Sequence, residues 1–146
     1  MPEPNLIPLR IQKIIPETVD TRSFILCSET GKEINYVPGQ FLTFVFTKPN
    51  GEQERRNYSL SSAPVLEEPL QITVKRIANG AYSRWLTDHA KEGDVLLTTG
   101  ASGFFILPDD ISPYSQLVFF AAGSGITPDF SLIKTILHLN KTISIA

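Results

Sequence analysis

Cysteine and histidine are nearly missing: Cys27, His89 and His138 are all that 146 residues contain. A lone cysteine excludes an intrachain disulfide framework, and these three residues are too few for a Cys/His zinc or iron–sulfur site within the chain. The scarcity fits a reducing compartment. An excess of positive charge is also lacking, since 13 Lys and Arg stand against 15 Asp and Glu, a net charge of −2. Nucleic-acid and anionic-membrane binders rely on clustered cations, so neither partner is expected. No apolar run approaches the roughly 20 residues that cross a bilayer. Met1–Asn5 offers neither a basic n-region nor a following apolar h-region, so no secretory signal is expected. With 42% hydrophobic and 19% charged residues, the expectation is a soluble, cytoplasmic globular protein of about one domain's length.

Short strands dominate the first two thirds. Leu9–Gln12 alternates and continues into Ile14 and Ile15. Thr21–Ser28 sets Phe24 and Leu26 against Ile25 and Cys27. Phe41–Phe46 is aromatic and β-branched, entered through Pro38-Gly39 and left through Lys48–Gly51. Glu54–Leu60, Leu70–Arg76 and Val95–Thr99 complete six strands at a spacing that reads as an antiparallel barrel or sandwich. One helix interrupts them over Gly80–Ala90, with Tyr82, Trp85, Leu86 and Ala90 on one apolar face. Ser83 is the expected N-cap and Gly93 the expected stop.

The pattern changes after Pro108. Asp109–Ser115 reads as a turn-rich linker, and Leu117–Ala122 as a strand of a parallel sheet covered on both faces. An amphipathic helix follows, with Thr127 as cap, Pro128 in the first turn, Phe130, Ile133, Ile136 and Leu137 inward, and Asn140 at its end. Thr142–Ala146 opens another strand. A βαβ opening with nothing after it cannot cover its own sheet, so the expectation is a truncated protein.

Four motifs carry candidate chemistry. Arg56, Tyr58, Ser59 and Ser62 end a strand; they offer a phosphate clamp, a stacking surface and hydroxyls, or merely an edge strand entering a serine-rich turn. Gly80–Ser83 opens a helix, where unpaired amides and the dipole attract anions, or is an ordinary capped helix. Gly100–Phe105 allows close backbone approach to a planar ligand, or is a turn before two core phenylalanines. Gly123, Gly125, Thr127 and Pro128 lie in strand–loop–helix context, as in nucleotide-binding loops, with Pro128 in place of the fingerprint's third glycine.

In this order, RxYSxxS, GxxS, GxxGxF and AGxGxTP resemble the ferredoxin–NADP reductase superfamily over Leu9–Ala146. The likeness is greatest to oxygenase reductases and flavohaemoglobin reductase domains. The resemblance implies a mainly β protein: a six-stranded antiparallel Greek-key FAD-binding barrel with one helix over residues 1–108, then the start of an α/β, Rossmann-like NAD(P)-binding domain over 109–146. It implies that Arg56 contacts flavin phosphate, Tyr58 stacks on the isoalloxazine and Ser59 hydrogen-bonds near N5, these last two being the catalytic pair. It further implies that Val74 and Lys75 line the ribityl–phosphate region, and that Gly80, Ala81, Tyr82 and Ser83 hold the pyrophosphate. Gly123, Gly125, Thr127 and Pro128 would face the nicotinamide nucleotide.

The implied function is hydride transfer from NAD(P)H to FAD, followed by electron transfer to an iron–sulfur centre, ferredoxin or oxygenase. The fragment alone is expected to be poorly active. An FMN-binding electron-transfer subunit of the same fold and a non-catalytic β-barrel interaction module are the alternatives. A 2Fe-2S cluster is expected only in a C-terminal part outside this chain. Gly100-Ala101 stands where the family commonly has Gly-Pro. Of the remaining residues, Cys27 and Trp85 read as core, His89 and His138 as helix-end cations, Arg55 as solvated, and Asp109-Asp110 as linker.

Overall fold

The computed structural model describes residues 5–139 and 142–146, so Asn140, the expected helix end, lies outside the described residues. Six strands form one antiparallel sheet: β1 (Ile7–Pro16), β2 (Thr21–Ser28), β3 (Phe41–Thr47), β4 (Gln53–Ser59), β5 (Gln71–Lys75) and β6 (Val95–Ser102). Their spatial order is β4-β3-β6-β1-β2-β5. β1–β2 and β3–β4 are neighbours in sequence and pair directly, whereas β6 crosses back to lie between β3 and β1. The two outer strands meet where Leu60 bridges Ile72 and the Ser61 amide donates to the Gln71 carbonyl at 2.9 Å. A Greek-key barrel results.

Period-two alternation explains the core. Leu9, Ile11, Phe24, Leu26, Leu42, Phe44, Ile72, Val74 and Leu96 project inward and are buried with Leu60 and Leu86. Cys27 alternates to the other face and is only half-buried, so the expected core role is corrected. Gly39 has φ of +94°, and a Cβ there would strike the Phe105 carbonyl oxygen. Glycine therefore lets the chain leaving β6 cross the Pro38-Gly39 turn.

Helix α1 (Ala81–Asp88) is capped by Gly80 and ends at His89. Ser83 is thus the third helical residue, not the N-cap, and Gly93 (φ +97°) serves a later turn in which its amide bonds Ile11 O at 2.8 Å. Leu86 is buried, but Trp85 is 38% exposed, so the core reading of Trp85 is also corrected. β6 runs on through Gly100 to Ser102, beyond the expected Thr99. Phe104 and Phe105, expected inside, are exposed.

After the linker, β7 (Gln116–Leu117) pairs in parallel with β8 (Ser144–Ile145), and α2 (Ile126–Leu139) lies between them in sequence. The parallel arrangement matches expectation, but the strand is two residues long and Val118 and Phe120 are exposed. A turn of 3-10 helix, Gly123–Gly125, runs into α2, so Thr127 lies inside the first turn and does not cap it. The buried face of α2 is Thr127, Asp129, Ser131, Leu132, Thr135 and Ile136; Phe130 and Leu137 point outward against expectation. Packing against the barrel's 60–68 loop decides this. Ser131 Oγ donates to Ser62 O at 2.6 Å, and Lys134 pairs with Glu68.

Candidate functional site

A cleft of about 1090 Å³ opens along β3 and β4, the end of β5, the start of α1 and the turn at Ser124. Strand periodicity supplies its first wall. In β4, Arg56 and Tyr58 are two residues apart and share a face, registered opposite Phe44 and Leu42 of β3. Tyr58 is half-buried, its ring centroid 6.1 Å from that of Phe44. Burial pushes its phenol up to about 12. The phenol therefore stays neutral at ordinary pH, leaving a stacking surface and a hydroxyl beside the cleft. Ser59, next in the chain, borders the same cleft.

The second wall is the start of α1. The first bond into the helix runs from the Arg84 amide to Gly80 O at 3.0 Å. The amides of Ala81, Tyr82 and Ser83 precede it and carry the positive end of the dipole. Ser83 Oγ accepts the Ile77 amide at 3.2 Å and donates to Gly80 O at 3.2 Å, which pins the approach to the helix. A Cβ on Gly80 would collide with that hydroxyl. Glycine is what keeps this cradle open.

Arg56, Tyr58, Ser59, Val74, Lys75, Gly80, Ala81, Tyr82 and Ser83 all line this one cleft. The Val74 side chain is buried in the core, so its backbone is what it can offer. Lys75 is exposed, 3.8 Å from Asp20. Of the second group, Thr127 borders the cleft with Ser124. Gly123 borders an adjoining pocket of about 400 Å³, where Thr127 and Thr73 recur. Gly125 and Pro128 line neither.

Sequence reasoning missed a cluster at the open end. Tyr82 stacks on Phe46 with centroids 4.1 Å apart and planes at 23°. The Arg56 guanidinium carbon sits 5.3 Å from the Tyr82 ring centroid. Glu54 accepts from Arg56 Nη2 at 2.9 Å and pairs with Lys48 Nζ at 2.6 Å. Lys48 holds the Glu54 carboxyl below the usual carboxylate range. The Phe46↔Glu54 register of the β3–β4 hairpin creates this cluster. Period-two alternation along β4 was able to join Glu54 to Arg56, and pairing the hairpin was able to add Phe46 and Lys48.

A groove with a cation and helix amides for phosphate, a half-buried phenol ring for stacking, a hydroxyl and a glycine-kept cradle suits a conjugated cofactor carrying phosphate. The donor set suits a nucleotide. Among the described residues no three His, Cys, Asp or Glu converge to hold a metal ion.

Comparison with known proteins agrees. The model of the oxidoreductase FAD-binding domain matches residues 8–106. The ferredoxin reductase component of 3-ketosteroid-9-alpha-monooxygenase from Mycolicibacterium smegmatis is 37% identical over 138 residues, covering 91% of this chain and 38% of that protein. The chain thus spans well under half the length of this curated relative. The structure of phthalate dioxygenase reductase, described as a module for electron transfer from pyridine nucleotides to [2Fe-2S], superposes with a TM-score of 0.77 at 28% identity, over 97% of this chain and 42% of that one. A ferredoxin NADP+ reductase from Neisseria gonorrhoeae with bound FAD and NADP gives a TM-score of 0.77 at 25% identity, over 98% and 56%.

Proposed function

The chain belongs to the oxidoreductase FAD-binding domain family, and from that premise we propose that the cleft seats FAD on the residues just described. The observation that carries this reading is one wall presenting Arg56, Tyr58 and Ser59 opposite the leading amides of α1. Residues 1–108 are the flavin barrel in this reading. Residues 109–146 open the NAD(P)-binding unit, whose Ser124 and Thr127 border the same cleft. The whole protein is a reductase that takes a hydride from NADH or NADPH and passes electrons singly to an iron–sulfur centre, a ferredoxin or an oxygenase. Its place is the cytoplasm, a setting consistent with a single free cysteine.

Bound flavin supplies the two-electron to one-electron conversion; this chain's residues bind and orient it. Arg56 and the amides of Ala81–Ser83 neutralise phosphate charge. Tyr58, neutral and half-buried, covers one ring face and excludes water there. Ser59 presents a hydroxyl at the end of β4, where a hydrogen bond fixes the ring's reactive edge. Lys75 and the Val74 backbone border the middle of the groove. Nicotinamide nucleotide approaches from the side of Gly123–Pro128. No helix among the described residues is long and apolar enough to cross a membrane.

Two measurements test this. Protein incubated with excess FAD and then desalted should remain yellow, and a colourless product overturns the reading. Arg56→Ala should weaken flavin affinity by about 1.5–3 kcal/mol, the range for charge-assisted hydrogen bonds, in a fluorescence titration. Unchanged affinity removes Arg56 from the site.

A further inference from the structure

We propose that Glu54 is a positioning residue that holds the Arg56 guanidinium in place beside the leading amides of α1, so that both meet phosphate. The proposal rests on the flavin reading above and extends it to a side chain that does not itself meet the ligand.

Arg56 and the α1 amides come to the cleft from separate elements. Arg56 does so on a long side chain that is 48% exposed. Such a side chain has many rotamers, and fixing one only at the moment of binding costs affinity. Three contacts fix it beforehand. Nη2 donates to Glu54 Oε2 at 2.9 Å, Nη1 donates to Arg55 O at 2.7 Å, and the guanidinium carbon lies 5.3 Å from the Tyr82 ring centroid. Only part of the guanidinium's donor set is used in this way, so donors remain for a ligand.

Glu54 is the contact with an anchor of its own. Its Oε1 lies 2.6 Å from Lys48 Nζ, and Lys48 is also 3.1 Å from Glu52 Oε2. Strand register sets Glu54 opposite Phe46, whose ring stacks on Tyr82 with centroids 4.1 Å apart. Tyr82 belongs to the first turn of α1, and its amide is one of those proposed to meet phosphate. Hairpin, guanidinium and helix start are therefore tied together around one carboxylate. Hydrogen bonding from Lys48 holds that carboxyl below the usual carboxylate range, so it stays ionised at neutral pH. Lys48 also offsets its charge, which leaves Arg56 cationic toward the groove.

A charge effect and a positioning effect have opposite signs here. A carboxylate that acted only by its charge would repel phosphate, and its removal would tighten binding. One that holds Arg56 in place favours phosphate, so its removal weakens binding, and only while Arg56 is present.

The experiment measures dissociation constants of FAD and riboflavin by fluorescence titration. The proteins are wild type, Glu54→Ala, Glu54→Gln, Arg56→Ala and the double variant Glu54→Ala with Arg56→Ala. Glu54→Ala should weaken FAD binding about fivefold, the upper end for a partly exposed ion pair. Glu54→Gln should recover part of that loss, because its carbonyl oxygen still accepts from Arg56. Riboflavin, which carries no phosphate, should bind every variant alike, and this also shows the site intact. Once Arg56 is alanine, adding Glu54→Ala should weaken FAD no further. Unchanged or tighter FAD binding in Glu54→Ala, an equal loss for riboflavin, or the same loss without Arg56 overturns the proposal and leaves the flavin reading standing. If wild-type protein binds neither flavin, the flavin reading and the proposal fall together.

Discussion

Phe24 and Phe44 in the barrel have no exposed surface, whereas Phe104 and Phe120 beyond it are 99% and 93% exposed. Residue type and local chemistry are the same in both regions; what differs is how many elements surround the side chain. In the barrel, each strand has neighbours and the sheet closes on itself, so every inward residue meets others from across the core. Beyond Ser102 the described residues supply one two-residue parallel pair and one helix. That helix turns a largely polar face, with Asp129, Ser131 and Thr135, toward the barrel side. Burial in the barrel is set by alternation within the strands. In the later segment it is set by what packs on top.

The sharpest way to break this contrast is to hollow the barrel. Phe24→Ala should destabilise the protein by about 3–5 kcal/mol, the range for a buried aromatic whose cavity cannot collapse, as read from urea unfolding. A loss under 1 kcal/mol means the barrel core is as loosely held as the later segment. Asp129 comes next, and its expected effect has the opposite sign. It is buried in the first turn of α2 with Oδ2 unpartnered among the described residues, and burial raises its carboxyl above the ordinary value. An acid raised on folding costs stability as pH climbs from its unfolded value through its folded one. Asp129→Asn should therefore stabilise the protein at neutral pH by about 1 kcal/mol. The difference should fade below the unfolded carboxylate value, and a constant difference at every pH overturns its electrostatic origin. The smallest effect belongs to Phe120→Ser. It should change stability by less than about 0.5 kcal/mol, as exposed substitutions do, and a larger loss in thermal unfolding shows that Phe120 is packed.

Much of the barrel was legible. Thr21–Ser28 begins and ends where its alternation does, and the other strands depart from expectation by a few residues. Strand periodicity is local, so each segment reports its own inward face. The helices were harder to read. Ser83 resembled a cap because serine favours that position, but Gly80 precedes it and the Ser83 hydroxyl is drawn back to Ile77 and Gly80. Phe130 and Leu137 had helical spacing, yet the Ser131–Ser62 and Lys134–Glu68 contacts rotate α2 the other way. In the site, Arg56, Tyr58 and Ser59 stood out as a short motif, while Lys48, Glu54 and Phe46 did not. Phe46 and Lys48 reach the site through hairpin register, which unites residues that look unrelated along the chain, whereas Glu54 lies two residues before Arg56 on the same face of β4.

The order of apolar and polar residues by itself determined six strands, one intervening helix and the glycine-marked turns, because alternation and backbone freedom act over a few residues. Only the tertiary structure decided that β6 lies between β1 and β3, that Tyr82 stacks on Phe46, and that α2 buries Asp129 in place of Phe130. Those outcomes depend on contacts between segments tens of residues apart. Each is fixed by closure of the barrel and by competition for limited buried space, which no local pattern encodes.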